Sequence, residues 1–276
     1  MNEPVVGTLK VPGATLRYEV RGAGPVLLLI VGGGGDAGIV EPVADALADR
    51  FTVITYDPRG NSRSPLDGAE VDQRVGTQAD DAHRLLQHLA PDGPPAYVFG
   101  TSSGAIVAVE LLTRHPDRLA RVVAHEPPLV SLLPDAVAQQ AFFGHIVETF
   151  HAAGVEAAMA EMSAGCGEER GERPGLSGLS PRMRETLARV GENSGFFLGH
   201  ILGPFTRHVP DPTRLGLCAD ALVPAVGRAS AGLRLARPAE VLAVRYGVGL
   251  AELPGGHLGV LTHPAQLALR LGELLG

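Results

Sequence analysis

The 276-residue chain reads as an α/β fold: a mainly parallel sheet of about eight strands with helices on both faces and a helical lid insertion. Three observations predict this. Short apolar runs alternate with helix-like stretches over residues 25–125 and return after 214. One run ends abruptly in Gly100-Thr101-Ser102-Ser103-Gly104 and passes at once into an apolar helical segment, the order strand, sharp turn, helix. Strand signals vanish from Leu129 to Thr213, where only helical patterns remain.

Residues 5–10 and 15–20 predict an antiparallel hairpin about Pro12-Gly13-Ala14. Residues 25–31 (PVLLLIV) form a continuous apolar run, as a strand buried on both faces requires. Gly32 to Gly35 follow, then a helix over 39–48, a strand over 51–56, and the polar turn Asp57-Pro58-Arg59-Gly60-Asn61-Ser62-Arg63-Ser64. A helix over 77–89 precedes the strand that ends at the serine turn, and the strand at 121–125 closes with Glu126-Pro127-Pro128. Helices are expected at 136–153, 155–162, 181–190 and 193–205, around a loop at 163–178 rich in Gly, Glu and Arg. Strands return at 221–226 and 249–253, and a helix over 264–275 follows. The organisation expected is a core of residues 1–128 and 214–276 with a lid of residues 129–213 inserted in it.

Composition narrows the function. Apolar residues make up 45% and charged residues 19%, as in a globular chain with ample core. A net charge of −7 without a basic cluster argues against nucleic acid as a partner. No apolar run approaches the roughly 20 residues that span a bilayer, and Met1-Asn2-Glu3-Pro4 offers no secretory signal. A cytoplasmic location without membrane partners is therefore expected. Cys166 and Cys218 are too few for a disulfide framework.

A serine at the apex of a strand-to-helix turn stands clear of the sheet, and glycines two residues away on either side let the turn close. Ser102 is thus the candidate nucleophile. The N–H of Ser103, at a helix N-terminus, is a candidate oxyanion donor. The second donor belongs in the glycine run, where backbone approaches a ligand without a Cβ in the way: Gly33, with Gly34 as fallback. A hydroxyl needs a base, and His257 follows the last strand in Pro254-Gly255-Gly256-His257, at the same edge of the sheet. The base needs a carboxylate. The loop after the penultimate strand holds Ser230 where an acid is usual, and Glu240 lies too far along. One strand earlier, Glu126 stands beside the nucleophile strand and is the candidate acid. The bland alternative is that Glu126 caps a helix while Ser230 and a water orient His257. A local rival also exists: Gly33 to Gly38 fits G-x-G-x-x-G with Asp57 ending the next strand, a dinucleotide fingerprint. It leaves Ser102 and His257 unexplained.

With nucleophile, acid and base in the order Ser102, Glu126, His257, the chain resembles the α/β-hydrolase superfamily, in its serine-nucleophile branch, over nearly its whole length. A narrower resemblance is to the zearalenone lactone hydrolases, which share the form G-x-S-S-G-A (Gly100 to Ala105) and the segment H-E-x-P (His125 to Pro128). That resemblance implies the same three roles. The lid tryptophan with which that group packs its macrolactone has no counterpart, since the chain contains no tryptophan, and the charged loop over 166–174 is unmatched. The expected activity is hydrolysis of a carboxylic ester or lactone through an acyl-enzyme, a zearalenone-type macrolactone being one candidate. Phe142, Phe143, Met159, Met162, Phe196 and Phe197 are candidates for the substrate pocket. No metal or organic cofactor is expected, and the partner is a small ester or lactone, with a homo-oligomer left open. A cofactor-free cyclase, a perhydrolase or a ligand receptor on the same fold is the alternative.

Overall fold

A computed structural model describes residues 3–167 and 179–276. Among them, eight strands form one sheet in the order β1-β2-β4-β3-β5-β6-β7-β8. β1 (Val5–Val11) and β2 (Ala14–Arg21) make the expected hairpin, and β2 also runs antiparallel to β4 (Thr52–Tyr56). From β4 onward, through β3 (Val26–Ile30), β5 (Ala96–Thr101), β6 (Leu119–His125), β7 (Leu222–Gly227) and β8 (Ala251–Leu253), every pairing is parallel.

The apolar run of β3 serves two cores, because successive side chains leave opposite faces of a strand. Leu28 and Ile30 enter the core shared with α2 (Val75–Leu89) and α3 (Ser103–Arg114). Leu27 and Leu29 enter the one shared with α1 (Glu41–Leu47) and α10 (Pro264–Leu275). Sequence order reverses at β3, which has β4 on one side and β5 on the other. Ligands of parallel sheets bind beyond the carboxyl ends of the strands at such a switch point.

Between β6 and β7 the described residues form no strand. They form α4 (Ala136–Cys166), α5 (Pro181–Phe196), a π turn Phe197–Ile201, α6 (Leu202–Thr206) and α7 (Pro212–Leu217). α4 is a helical hairpin broken at Gly154, whose φ of 87° and ψ of −177° leave the helix where the sequence reading places a boundary. The Thr149 hydroxyl donates to Glu161 at 2.8 Å, whereas one straight helix would hold those residues roughly 18 Å apart. The described helices between β6 and β7 pack into the same core as the sheet: Phe143, Ile146, Phe197 and Phe205 belong to the apolar cluster that includes Leu28 and Ile106.

Three details depart from the sequence reading. The expected loop at 163–178 begins later, since α4 continues to Cys166, and residues 168–178 lie outside the described residues. The helices expected at 181–190 and 193–205 run on as α5, the π turn and α6. α7, α8 (Arg237–Tyr246) and α9 (Gly259–Thr262) are additional.

Candidate active site

β5 ends at Thr101 and α3 begins at Ser103, which leaves Ser102 alone in the turn at φ 54°, ψ −128°. A non-glycine residue there costs about 1–3 kcal/mol, so its surroundings must hold it. The Ser102 N–H donates to the His125 carbonyl at 2.9 Å, and the Ser102 carbonyl accepts from the Ala105 N–H at 2.9 Å. The flanking glycines are steric necessities. A Cβ on Gly100 would fall 2.5 Å from the Gly104 carbonyl oxygen, and one on Gly104 would fall 2.4 Å from the carbonyl oxygens of Ile30 and Val31.

Glu126 follows β6 as Ser102 follows β5, and it too has a left-handed backbone, at φ 47°. Its N–H donates to the Ala225 carbonyl at 2.9 Å, which ties it to β7. The carboxylate is fully buried. One oxygen accepts from the Gly227 N–H at 2.8 Å, the other from His257 Nδ1 at 2.7 Å. On its far side, His257 Nε2 lies 3.1 Å from the Ser102 hydroxyl. An ionised carboxylate only accepts, so the ring proton belongs on Nδ1 and Nε2 is the lone pair facing the hydroxyl. Ser102, His257 and Glu126 therefore meet at the carboxyl edge of the sheet. Glu126 makes these bonds rather than capping a helix, and Ser230 is buried beside Gly256, on the loop leading to His257.

Burial alone pushes the Glu126 carboxyl up, but its hydrogen bond and charge attraction to His257, helped by the bond from Gly227, outweigh it and hold the group at about 2. Behind it lies His125, which burial pushes down to about 4, so its ring is neutral. His125 Nδ1 lies 3.2 Å from the Thr101 hydroxyl, and Nε2 is 3.7 Å from Glu126. The carboxylate favours a proton on that Nε2, and Thr101 then donates to Nδ1.

The two expected oxyanion donors stand together. The Ser103 N–H opens α3, where backbone N–H groups lack helical partners. The Gly33 N–H donates to the Ser103 hydroxyl at 2.7 Å. Gly34 lies under α5, where a Cβ on it would be 3.1 Å from that of Asn193.

A cavity of about 50 Å³ opens at Ser102, lined by Pro128, Phe143, Met162, Phe197, Phe205 and Leu235 among others. Three of the six pocket candidates, Phe143, Met162 and Phe197, are thus at the cavity. The other three are not on its wall. Phe142 lies under the Arg234 guanidinium at 3.9 Å, Met159 packs against the core, and Phe196 is wedged against Gly60, where a Cβ would fall 2.2 Å from its ring. Sequence reasoning missed Leu235 and Phe205, which no periodicity assigns to a pocket. A second cavity of about 320 Å³ flanks His257 on the side of Arg228, Ser230 and His263, and shares Cys166 and Leu235 with the first.

The dinucleotide pattern meets a different fate. The buried Asp57 carboxylate accepts from the Ala37 N–H at 3.0 Å and from Arg63 Nε and Nη2 at 2.7 and 2.8 Å, so its lone pairs are spent on the fold. Gly38 is closed over by α5, since a Cβ there would fall 2.3 Å from the Thr186 hydroxyl. Among the described residues no group of three or more His, Cys, Asp or Glu could hold a metal ion. No helix among them is long and apolar enough to cross a membrane.

Comparison with known proteins agrees with this architecture. The family model described as alpha/beta hydrolase fold matches residues 25–163. The Bacillus subtilis (strain 168) protein named Uncharacterized hydrolase YraK is 36% identical over 274 residues, covering 98% of this chain and 95% of that protein. A zearalenone hydrolase of Bionectria ochroleuca is 35% identical over 123 residues, covering 44% of this chain and 47% of its own. Among solved structures, a thermophilic esterase from Thermogutta terrifontis superimposes with a TM-score of 0.74 at 21% identity, covering 99% of this chain and 98% of that one.

Proposed function

The chain belongs to the α/β-hydrolase family and is a hydrolase; from that premise we propose that it cleaves carboxylic esters or lactones through an acyl-enzyme on Ser102. The observation that carries this reading is the unbroken run Ser102–His257–Glu126, at 3.1 and 2.7 Å. Ser102 Oγ attacks the carbonyl carbon as its proton passes to His257 Nε2. Glu126, held ionised, stabilises the imidazolium and fixes the ring. The oxyanion rests on the Ser103 N–H and, once the Ser103 hydroxyl rotates aside, on the Gly33 N–H. Collapse breaks the bond to the alcohol oxygen, which takes the proton from His257. Water then attacks the acyl carbon, His257 takes a proton from it, and collapse frees the acid while Ser102 regains its hydrogen. The inserted helices serve as the lid of this site.

A cavity of about 50 Å³ at the nucleophile suits an acyl group of a few carbons, and the neighbouring 320 Å³ suits a larger alcohol part. Small acyl esters therefore rank ahead of macrolactones. A zearalenone-type ring remains a candidate through the similarity over part of the chain, and it requires the lid helices to part. The test is a fluorophosphonate with mass analysis. One adduct per chain at Ser102, and loss of p-nitrophenyl ester turnover in Ser102→Ala, are expected. An unlabelled Ser102, or turnover retained by Ser102→Ala, would end the reading.

A further inference from the structure

Four consecutive glycines, Gly32 to Gly35, have no side chains with which to hold a loop, yet an oxyanion donor must be aimed before the reaction begins. The loop is held from outside, by its carbonyls. Asn61, in the turn after β4, donates to the Gly33 and Gly35 oxygens at 3.3 and 3.0 Å. Asn193, on α5, donates to the Gly34 oxygen at 2.7 Å. The same Nδ2 reaches the Ser62 hydroxyl at 2.8 Å, and the Asn193 oxygen accepts from the Ser62 N–H at 2.8 Å. Both asparagines are buried. A carboxylate anchors the loop's far end to the same helix, since Arg189 Nε lies 2.6 Å from Asp36.

A trans peptide is planar, so a carbonyl and the N–H that follows it point in opposite directions. Holding the Gly34 carbonyl therefore aims the Gly35 N–H. That N–H donates to the Gly32 carbonyl at 3.0 Å. The Gly32 carbonyl is in turn coplanar with the Gly33 N–H, which points at the elbow and lies 2.7 Å from the Ser103 hydroxyl. Two rigid planes and one hydrogen bond thus connect the lid side chain to the expected oxyanion donor.

We propose that Asn193 is a positioning residue for the oxyanion hole, so that seating α5 on the glycine loop sets the turnover rate rather than the affinity for substrate. This rests on the acyl-enzyme reading. Its distinctive content is that a residue on the helix covering the site acts on the transition state while touching no substrate.

The experiment compares Asn193→Asp and Asn193→Ala with the control Arg182→Ala, using p-nitrophenyl acetate and an alkylboronic acid. Asp keeps the size and the acceptor for the Ser62 N–H but sets oxygen against the Gly34 oxygen. Arg182, at the start of α5, pairs with the carboxylates of Glu41 at 2.8 Å and Glu19 at 3.6 Å rather than with the glycine loop. Both Asn193 variants are expected to lose roughly ten- to a hundredfold in kcat, less than removal of a donor outright, with KM within about twofold. The boronic acid, which mimics the tetrahedral state, should weaken by the same factor as kcat/KM, whereas the control stays within about threefold of wild type. A rise in KM at unchanged kcat, equal losses in the control, or unchanged boronate affinity would each overturn the proposal. If wild type takes up no phosphonate at Ser102, the acyl-enzyme reading itself has failed, a result separate from any kcat and KM split.

Discussion

The N–H of Ser102 donates to the carbonyl of His125 at 2.9 Å, so Ser102 is hydrogen-bonded to the residue that precedes Glu126. Adjacent parallel strands thus deliver Ser102 and Glu126 in fixed register. Each leaves its strand through a left-handed backbone, at φ 54° and 47°.

Glu126→Gln removes the charge while keeping the shape. The imidazolium loses its counter-ion and the ring its preferred tautomer. We expect kcat to fall about 10³–10⁴-fold with little change in KM, measured on a p-nitrophenyl ester at pH 8. A loss below tenfold would show that another group orients His257.

His125 makes stability sensitive to mild acid. Burial lowers it from 6.5 to about 4, so above pH 6.5 both folded and unfolded chains carry it neutral and its contribution is complete. As pH falls from 6.5 toward 4, the unfolded chain takes a proton that the folded one refuses, at a cost on the order of 3 kcal/mol. Glu126, lowered from 4.5 to about 2, acts in the opposite charge sense but the same direction, below pH 4.5. His83 is also lowered, chiefly by burial, so the comparison is with a variant. Calorimetry should show Tm falling less between pH 6.5 and 4.5 in His125→Asn than in wild type. Parallel curves would remove His125 from the acid response.

Gly104→Ala places a methyl 2.4 Å from two β3 carbonyl oxygens, and backbone cannot retreat as a side-chain tip can. A destabilisation of about 3 kcal/mol is expected, with Tm lower by roughly 6–12 °C. Phosphonate labelling of Ser102 should slow with it. A variant as stable and as reactive as wild type would show that α3 does not pack as closely on β3 as described.

The size of the cavity at Ser102 sets an order among substrates. Rates on p-nitrophenyl esters should be highest for acyl chains of two to four carbons and fall at least tenfold by eight, and Phe143→Ala should move the optimum to longer chains. An optimum at eight carbons or beyond in wild type would mean that the helices lining the cavity part before acylation.

Sequence was most informative where one residue type alone satisfies a steric or chemical demand. The elbow glycines, the apolar runs of the parallel strands, and the histidine after the last strand are of that kind, and so is the break at Gly154. The stretch between β6 and β7 was legible only as helical. Its cavity wall depends on which face of each helix turns inward, and Phe142 and Phe143, neighbours in sequence, take opposite fates. The carbonyl clamp left no trace in the sequence either. Asn61 and Asn193 are 132 residues apart, and an asparagine in a turn or a helix has many ordinary uses.

The helical hairpin brings Phe143 from one arm and Met162 and Cys166 from the other to the cavity, while at its tip a Cβ on Gly154 would meet, among the described residues and apart from the adjoining stretch of its own chain, no atom within 4 Å. Shortening or lengthening the arms at that tip slides one wall past the other without disturbing the sheet, the elbow or the histidine. On the proposed reading this parts the residues that break a bond from those that gauge a molecule's size, and a new diet is to be sought by changing the hairpin tip, with a shifted chain-length optimum at unchanged phosphonate labelling as the expected sign.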